Sequence, residues 1–197
     1  MKKIDLILAG IIGFLDGIFA IFILKTAEVK LPYVWALPFA LAILCFVGMM
    51  AAFWIGQKIF ILFQAAKFFL VGTLNTFIDL GVVYFLISIT NIAKGPLYSL
   101  FAAISFLVAT TNSYFWNKYW TFEKRKEAPS SQEFLKFLVI TAIGLGINVG
   151  VASFVVNIIG PQFGLTEKIW AGIGKLVATF FAFVWNFLGS KFIVFKQ

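Results

Sequence analysis

Four lysines stand at the ends of apolar segments: Lys67, Lys118, Lys136 and Lys191. A lysine ammonium is a compact point charge on a flexible stem, and it suits an anion that must bind and then leave. Four of them at one depth, with Trp120 and its aromatic neighbours, would form a basic rim for a lipid phosphate. Each also reads as an anchor whose stem lies along apolar surface while its head stays in water. Deeper in the apolar segments lie Asp16, Asp79, Asn148 and Lys175. A charge at the centre of a membrane helix costs about 2.5–3.5 kcal/mol on insertion scales, so such groups usually face a bundle interior. Their structural reading is that polar atoms join helices by hydrogen bonds. A neutral residue would pack as well as Asp79 or Lys175 at lower cost. Asp16 reads as structural.

The elements that must position these groups follow from composition. The chain is 62% hydrophobic and 12% charged, with 26 Phe in 197 residues. A soluble domain of this length cannot hide so much apolar surface. With no His and one Cys, Cys45, His-based triads, His metal sites and internal disulfides are excluded. The net charge is +8, and it sits in short loops beside helix ends. Lipid headgroups therefore suit it better than nucleic acid.

Uncharged runs longer than about 18 residues read as membrane-spanning helices. The spans are expected at residues 4–24, 34–55, 68–90, 97–116, 130–159 and 169–189. Asp16 interrupts the first apolar run, so it reads as a helix and not as a cleaved signal. Residues 57–66 carry Gln57, Lys58 and Gln64, followed by Lys67, around an apolar stretch, a pattern that suggests a short interfacial helix. Ser130 and Glu133 have capping-box spacing at the start of the fifth helix. Six spans put both termini on one side. Eleven Lys and Arg fall on that side and four on the other, with Lys175 inside a span. That excess places both termini in the cytoplasm.

Residues 67–117 align without a gap on 136–186, a shift of 69 positions. Lys67-Phe68 falls on Lys136-Phe137, Asp79 on Asn148, Gly81 on Gly150 and Trp116-Asn117 on Trp185-Asn186. Four extra residues follow in the second copy, and Lys118 then meets Lys191. The reading is an all-α membrane protein with six transmembrane helices, the last four a duplicated two-helix unit. Such duplications often place the functional site between the copies.

Gly72, Asn75, Thr76 and Asp79 fall on one helical stripe, repeated by Thr141, Gly144 and Asn148. Gly146 and Gly150 have the small-xxx-small spacing that lets another helix come close. Asp79 and Lys175 are expected at similar depth, one in each copy, which suggests a pair across the copy interface.

The motifs Lys67-Phe68-Phe69-Leu70-Val71-Gly72, Asn75 to Asp79, Asn117-Lys118-Tyr119-Trp120-Thr121-Phe122, Lys175 to Thr179, and Asn186 to Lys191 with Phe195 resemble the GtrA-like family. The resemblance covers about 65–197. It implies a four-helix membrane domain there; the two-helix hairpin and interfacial segment read at 1–64 lie outside the family's usual unit. The family tends to carry an Asn-aromatic pair before the basic residue ending each second helix. Asn186-Phe187 fits, whereas Asn112 and Asn117 compete for that place in the first copy.

The resemblance implies flipping of a polyprenyl-phosphate-linked monosaccharide across the cytoplasmic membrane for surface polysaccharide or glycan modification. Asn75, Asp79, Asn112, Asn117, Asn148, Lys175 and Asn186 would receive the sugar. Lys67, Lys118, Lys136 and Lys191 would hold the lipid phosphate. The rival reading is a non-transporting scaffold that docks a cytoplasmic glycosyltransferase through the polar loop 123–132. No nucleophile–base pair or metal-ligand cluster stands out, so no enzyme, cofactor or metal is expected. Membrane lipids and the lipid-linked sugar are the expected partners, nucleic acid is not, and a glycosyltransferase or a second copy of the chain is a candidate.

Overall fold

A computed structural model describes the backbone of residues 3–26, 29, 31–92, 96–124, 127–164 and 167–196, and the same side chains except 96, 98, 99, 102, 152, 156 and 167–176. Six long α-helices follow one another among the described residues: α1 (Lys3–Thr26), α2 (Leu37–Gly56), α3 (Phe60–Thr90), α4 (Pro96–Trp116), α5 (Ser131–Ser153) and α6 (Glu167–Gly189). Three continue as π-helical turns, Asn117–Thr121 after α4, Phe154–Ile159 after α5 and Ser190–Val194 after α6. No described residue lies in a strand. Five stretches among the described residues are long and apolar enough to cross a membrane, where the sequence reading counts six. The chain is a multi-pass membrane protein.

The chain divides into two compact units, Met1–Glu123 and Lys124–Gln197. In the first, α1 packs on α2 and α3, and α3 packs on α2, α4 and the π-turn after α4. The buried residues of α1 are Asp5, Ala9, Ile12, Gly13, Asp16 and Gly17. Their spacing makes one helical face. A Cβ on Gly13 would strike the Leu41 backbone, and one on Gly17 the Pro38 backbone. This small-xxx-small pair brings the helix axes together. Opposite faces carry exposed apolar residues, among them Ile7, Phe39, Ile43 and Trp54, as lipid contact requires.

The expected interfacial helix at 57–66 does not form. Only Gln57 to Ile59 interrupt the helices, and Phe60 already belongs to α3. At 31 residues and about 1.5 Å per residue, α3 is longer than a bilayer core of about 30 Å. Gln64 and Lys67 are buried. Their polar groups are satisfied within the protein, so the segment need not lie flat on a membrane.

In the second unit α5 packs on α6 and on the π-turn after α6. Ser130 is the N-cap of α5, with extended backbone, but its side chain makes no capping hydrogen bond. The start of the helix stands as expected, without the Ser130 side-chain bond of a capping box. A Cβ on Gly146 or Gly150 would meet no described atom, so no close approach occurs at that pair among the described residues. The close glycines here are Gly144, against the Asn186 amide, and Gly189, against Ile140.

Candidate functional site

In the first unit polar side chains gather where the start of α1, the first turns of α3 and the π-turn after α4 meet. Lys67 is only 2% exposed, and its Nζ lies 2.7 Å from Asp5 Oδ1 and 3.4 Å from Glu123 Oε1. The ammonium also stands over the Phe63 ring, 4.8 Å from its centroid, and 5.7 Å from that of Trp120. The Trp120 indole N–H donates to the same Asp5 oxygen at 3.0 Å. One carboxylate thus receives a cation and a neutral donor in a dry setting, where charge-assisted hydrogen bonds are strong.

The π-turn supplies the rest. A π-turn adds one residue per turn, and such turns recur at functional sites. Here it buries Asn117, Lys118, Trp120 and Thr121 together. Lys118 is 0% exposed, and its Nζ is 5.8 Å from the Tyr114 ring centroid. Asn117 donates to the Ser113 carbonyl at 2.9 Å and to its hydroxyl at 3.2 Å. Asn117 Oδ1 and Thr121 Oγ1 are buried without a hydrogen-bond partner among the described residues. Buried polar atoms usually find partners, so two such atoms on one turn invite a polar ligand.

Farther along α3, Asn112 donates its amide to Asn75 Oδ1 at 3.1 Å, which joins α4 to α3. Thr76 turns its hydroxyl back to the Gly72 carbonyl at 3.0 Å. One Asp79 carboxylate oxygen is buried without a hydrogen-bond partner among the described residues. Asp16, on α1, has a buried oxygen in the same condition.

In the second unit Trp185 donates its indole N–H to the Ile140 carbonyl at 3.0 Å. The Asn186 side chain lies against Gly144, and its Oδ1 is buried without a partner among the described residues. Asn148 donates to Thr179 Oγ1 at 3.5 Å. Lys191 is half-buried on its π-turn, with Nζ 5.8 Å from the Phe192 ring centroid. Lys136 is exposed.

A family model for the GtrA/DPMS transmembrane domain matches residues 67–195. The chain belongs to the GtrA-like family. Membership links it to membrane proteins that handle polyprenyl-phosphate sugars. The GtrA-like chain is also similar to the uncharacterized membrane protein YngA of Bacillus subtilis (strain 168). The two are 30% identical over 129 residues, which cover 66% of this chain and 77% of that protein. No solved structure gives a significant match.

The expected site residues therefore separate. Lys67 and Lys118 are both buried in the first unit, Lys67 beside Phe63 and Trp120 and Lys118 beside Tyr114, whereas Lys136 and Lys191 differ in exposure within the second unit. Asn75 and Asn112 meet, and Asn117 turns back on its own helix. The Lys175 side chain lies outside the described residues, and so does the pairing expected for it with Asp79. Sequence reasoning missed Asp5 and Glu123. A signal existed for Asp5: Asp5, Ala9, Ile12, Gly13 and Asp16 keep helical spacing, which put both carboxylates on the packed face of α1.

Proposed function

We propose that this GtrA-like chain moves a polyprenyl-phosphate-linked monosaccharide across the cytoplasmic membrane, for cell-surface polysaccharide or glycan modification. It crosses the membrane six times with both termini cytoplasmic, and it performs no chemical step of its own. The observation that carries this reading is the burial of two lysines of the first unit, Lys67 and Lys118, on the segment that bears the family match. Lys67 and Lys118 are each buried beside aromatic rings, dry basic positions able to hold a phosphate. Lys191 and Lys136 serve the same end from the second unit. Asn75, Asp79, Asn112, Asn117, Asn148, Lys175 and Asn186 serve the sugar, while the polyprenyl tail stays in lipid. A membrane-associated glycosyltransferase would deliver the cargo, and the chain would act alone or as a homo-oligomer.

Duplication of the two-helix unit supports this reading. Phe68 and Phe122 meet at 6.2 Å and 55°, and Phe137 and Phe195 at 6.1 Å and 48°. The π-turns after α4 and α6 have five residues each and close the same way, Phe122 N–H donating to the Asn117 carbonyl at 2.9 Å and Phe195 N–H to that of Ser190 at 2.8 Å. Asn117 and Ser190 open these turns. The shift at this end is thus 190 − 117 = 73, not 69. Asn186 then falls opposite Ser113, displacing both Asn112 and Asn117 from that place. Four residues make about one helical turn, so the insertion preserves the face.

The test is reconstitution into phosphatidylcholine liposomes with a fluorescent polyprenyl-phosphate monosaccharide in the inner leaflet. The label should reach an external quencher faster with protein than without. Lys118→Gln with Lys191→Gln should remove the acceleration. A rate equal to that of empty liposomes overturns the proposal.

A further inference from the structure

We propose that Asp5 is an intramolecular occupant of an anion site at Lys67, displaced when the lipid's phosphate binds. The inference rests on the translocation reading above and assigns a role to the hairpin outside the family domain. Lys67 is the first residue of the segment matched to the family, and α1 lies wholly outside it. A protein made of the matched segment alone would have the lysine without this carboxylate.

The chemistry at Lys67 suits exchange. A buried lysine requires an anion beside it, whichever group supplies the charge. A sugar–phosphate–lipid diester carries one negative charge, as the Asp5 carboxylate does. Exchange therefore keeps the pocket's charge constant. The two donors that hold Asp5 are the Lys67 ammonium, at 2.7 Å, and the Trp120 indole N–H, at 3.0 Å. Both can be passed to phosphate oxygens, which accept such bonds well. Phe63 and Trp120 flank the ammonium and are themselves buried, so the phosphate enters as the turn bearing Asp5 withdraws. Glu123 also approaches the ammonium and is 39% exposed along its side chain, so the cluster reaches the polar loop. Asp5 lies in the first turn of α1. The first amides of a helix lack intrahelical partners, so fraying one turn withdraws the carboxylate without unpacking α1.

The experiment titrates farnesyl monophosphate into the full chain in phosphatidylcholine nanodiscs at about pH 5, where a monoester of second pKa about 6 carries mainly one negative charge, with farnesol and inorganic phosphate as controls. Asp5→Asn should bind farnesyl monophosphate about tenfold more tightly than wild type, because the occupied state no longer competes. Adding Lys67→Gln to Asp5→Asn should abolish the gain. A gain for inorganic phosphate of the same size would assign the site to the phosphate group alone. Farnesol should show none. A folded Asp5→Asn chain with unchanged or weaker binding overturns the inference.

A second readout needs no Asp5 variant. The Trp120 indole N–H resonance, assigned by its loss in Trp120→Phe, should shift as farnesyl monophosphate saturates wild type. Saturable binding with that resonance unmoved overturns the displacement of Asp5 while leaving the translocation reading intact. Binding to neither wild type nor Asp5→Asn overturns both.

Discussion

Lys67 Nζ and Asp5 Oδ1 lie 2.7 Å apart, with both side chains almost fully buried. The pair ties the start of α1 to α3, and so ties the N-terminal hairpin to the family domain. Two buried charges attract each other strongly but lose their hydration. Replacing both often changes stability little, whereas removing one costs about 3–5 kcal/mol. Lys67→Met should therefore lower the thermal unfolding temperature in detergent, and so should Asp5→Asn. The double variant should recover most of the loss. Strictly additive losses would show that the pair is not coupled.

Gly13 and Gly17 set the distance between α1 and α2. Their missing Cβ atoms would overlap backbone of Leu41 and Pro38, and backbone does not move aside as a flexible side chain does. Gly17→Val should therefore destabilise the protein by more than about 1–3 kcal/mol, the usual cost of overpacking. Gly146→Ala and Gly150→Ala should be neutral or slightly stabilising, since alanine is the better helix former by about 1 kcal/mol. Thermal unfolding of the three variants checks the contrast. Equal losses at Gly146 and Gly17 would refute it.

The loop between α4 and α5 should face the cytoplasm, because Lys and Arg concentrate on that side. Glu127→Cys in a Cys45→Ala background provides one thiol there. An impermeant maleimide should modify it in inverted vesicles and leave it unmodified in intact cells. Modification in intact cells would reverse the proposed topology.

Much of the fold is legible in the sequence because membrane helices announce themselves as long apolar runs. The span expected at 34–55 is the turn Val34–Ala36 followed by Leu37–Gly56, and that expected at 169–189 is Glu167–Gly189. The misreading at 57–66 has a definite cause. Gln64 and Lys67 look like one polar face of an interfacial helix, but the partner that lets Lys67 be buried is Asp5, far away in the chain. Periodicity reports a face and not what covers it. Gly146 and Gly150 teach the same lesson from the other direction: small-xxx-small spacing permits close approach, and among the described residues the Gly13 and Gly17 pair meets the backbone of a neighbouring helix whereas Gly146 and Gly150 do not. The π-turns leave no mark in composition, since they differ from α-helix by one residue per turn. They nevertheless decide which residues of 117–121 and 190–194 turn inward, and so much of the candidate site.

Asp79 offers the sharpest separation of function from stability. One of its carboxylate oxygens is buried in α3 without a hydrogen-bond partner among the described residues. Leaving a buried acceptor unsatisfied costs about 1–3 kcal/mol, and more for a charged group. The amide of Asp79→Asn keeps the shape and removes the charge. If the carboxylate serves only packing, the neutral residue should serve better. Intramembrane ionisable groups are more often functional, and functional groups are commonly held against a cost in stability. Asp79→Asn should therefore raise the unfolding temperature by about 2–4 °C for each kcal/mol relieved in a chain of this size. The same variant should slow translocation of the fluorescent polyprenyl-phosphate sugar. Higher stability with unchanged transport would remove Asp79 from the sugar path. Lower stability with unchanged transport would make it a structural group whose charge is satisfied in the folded protein.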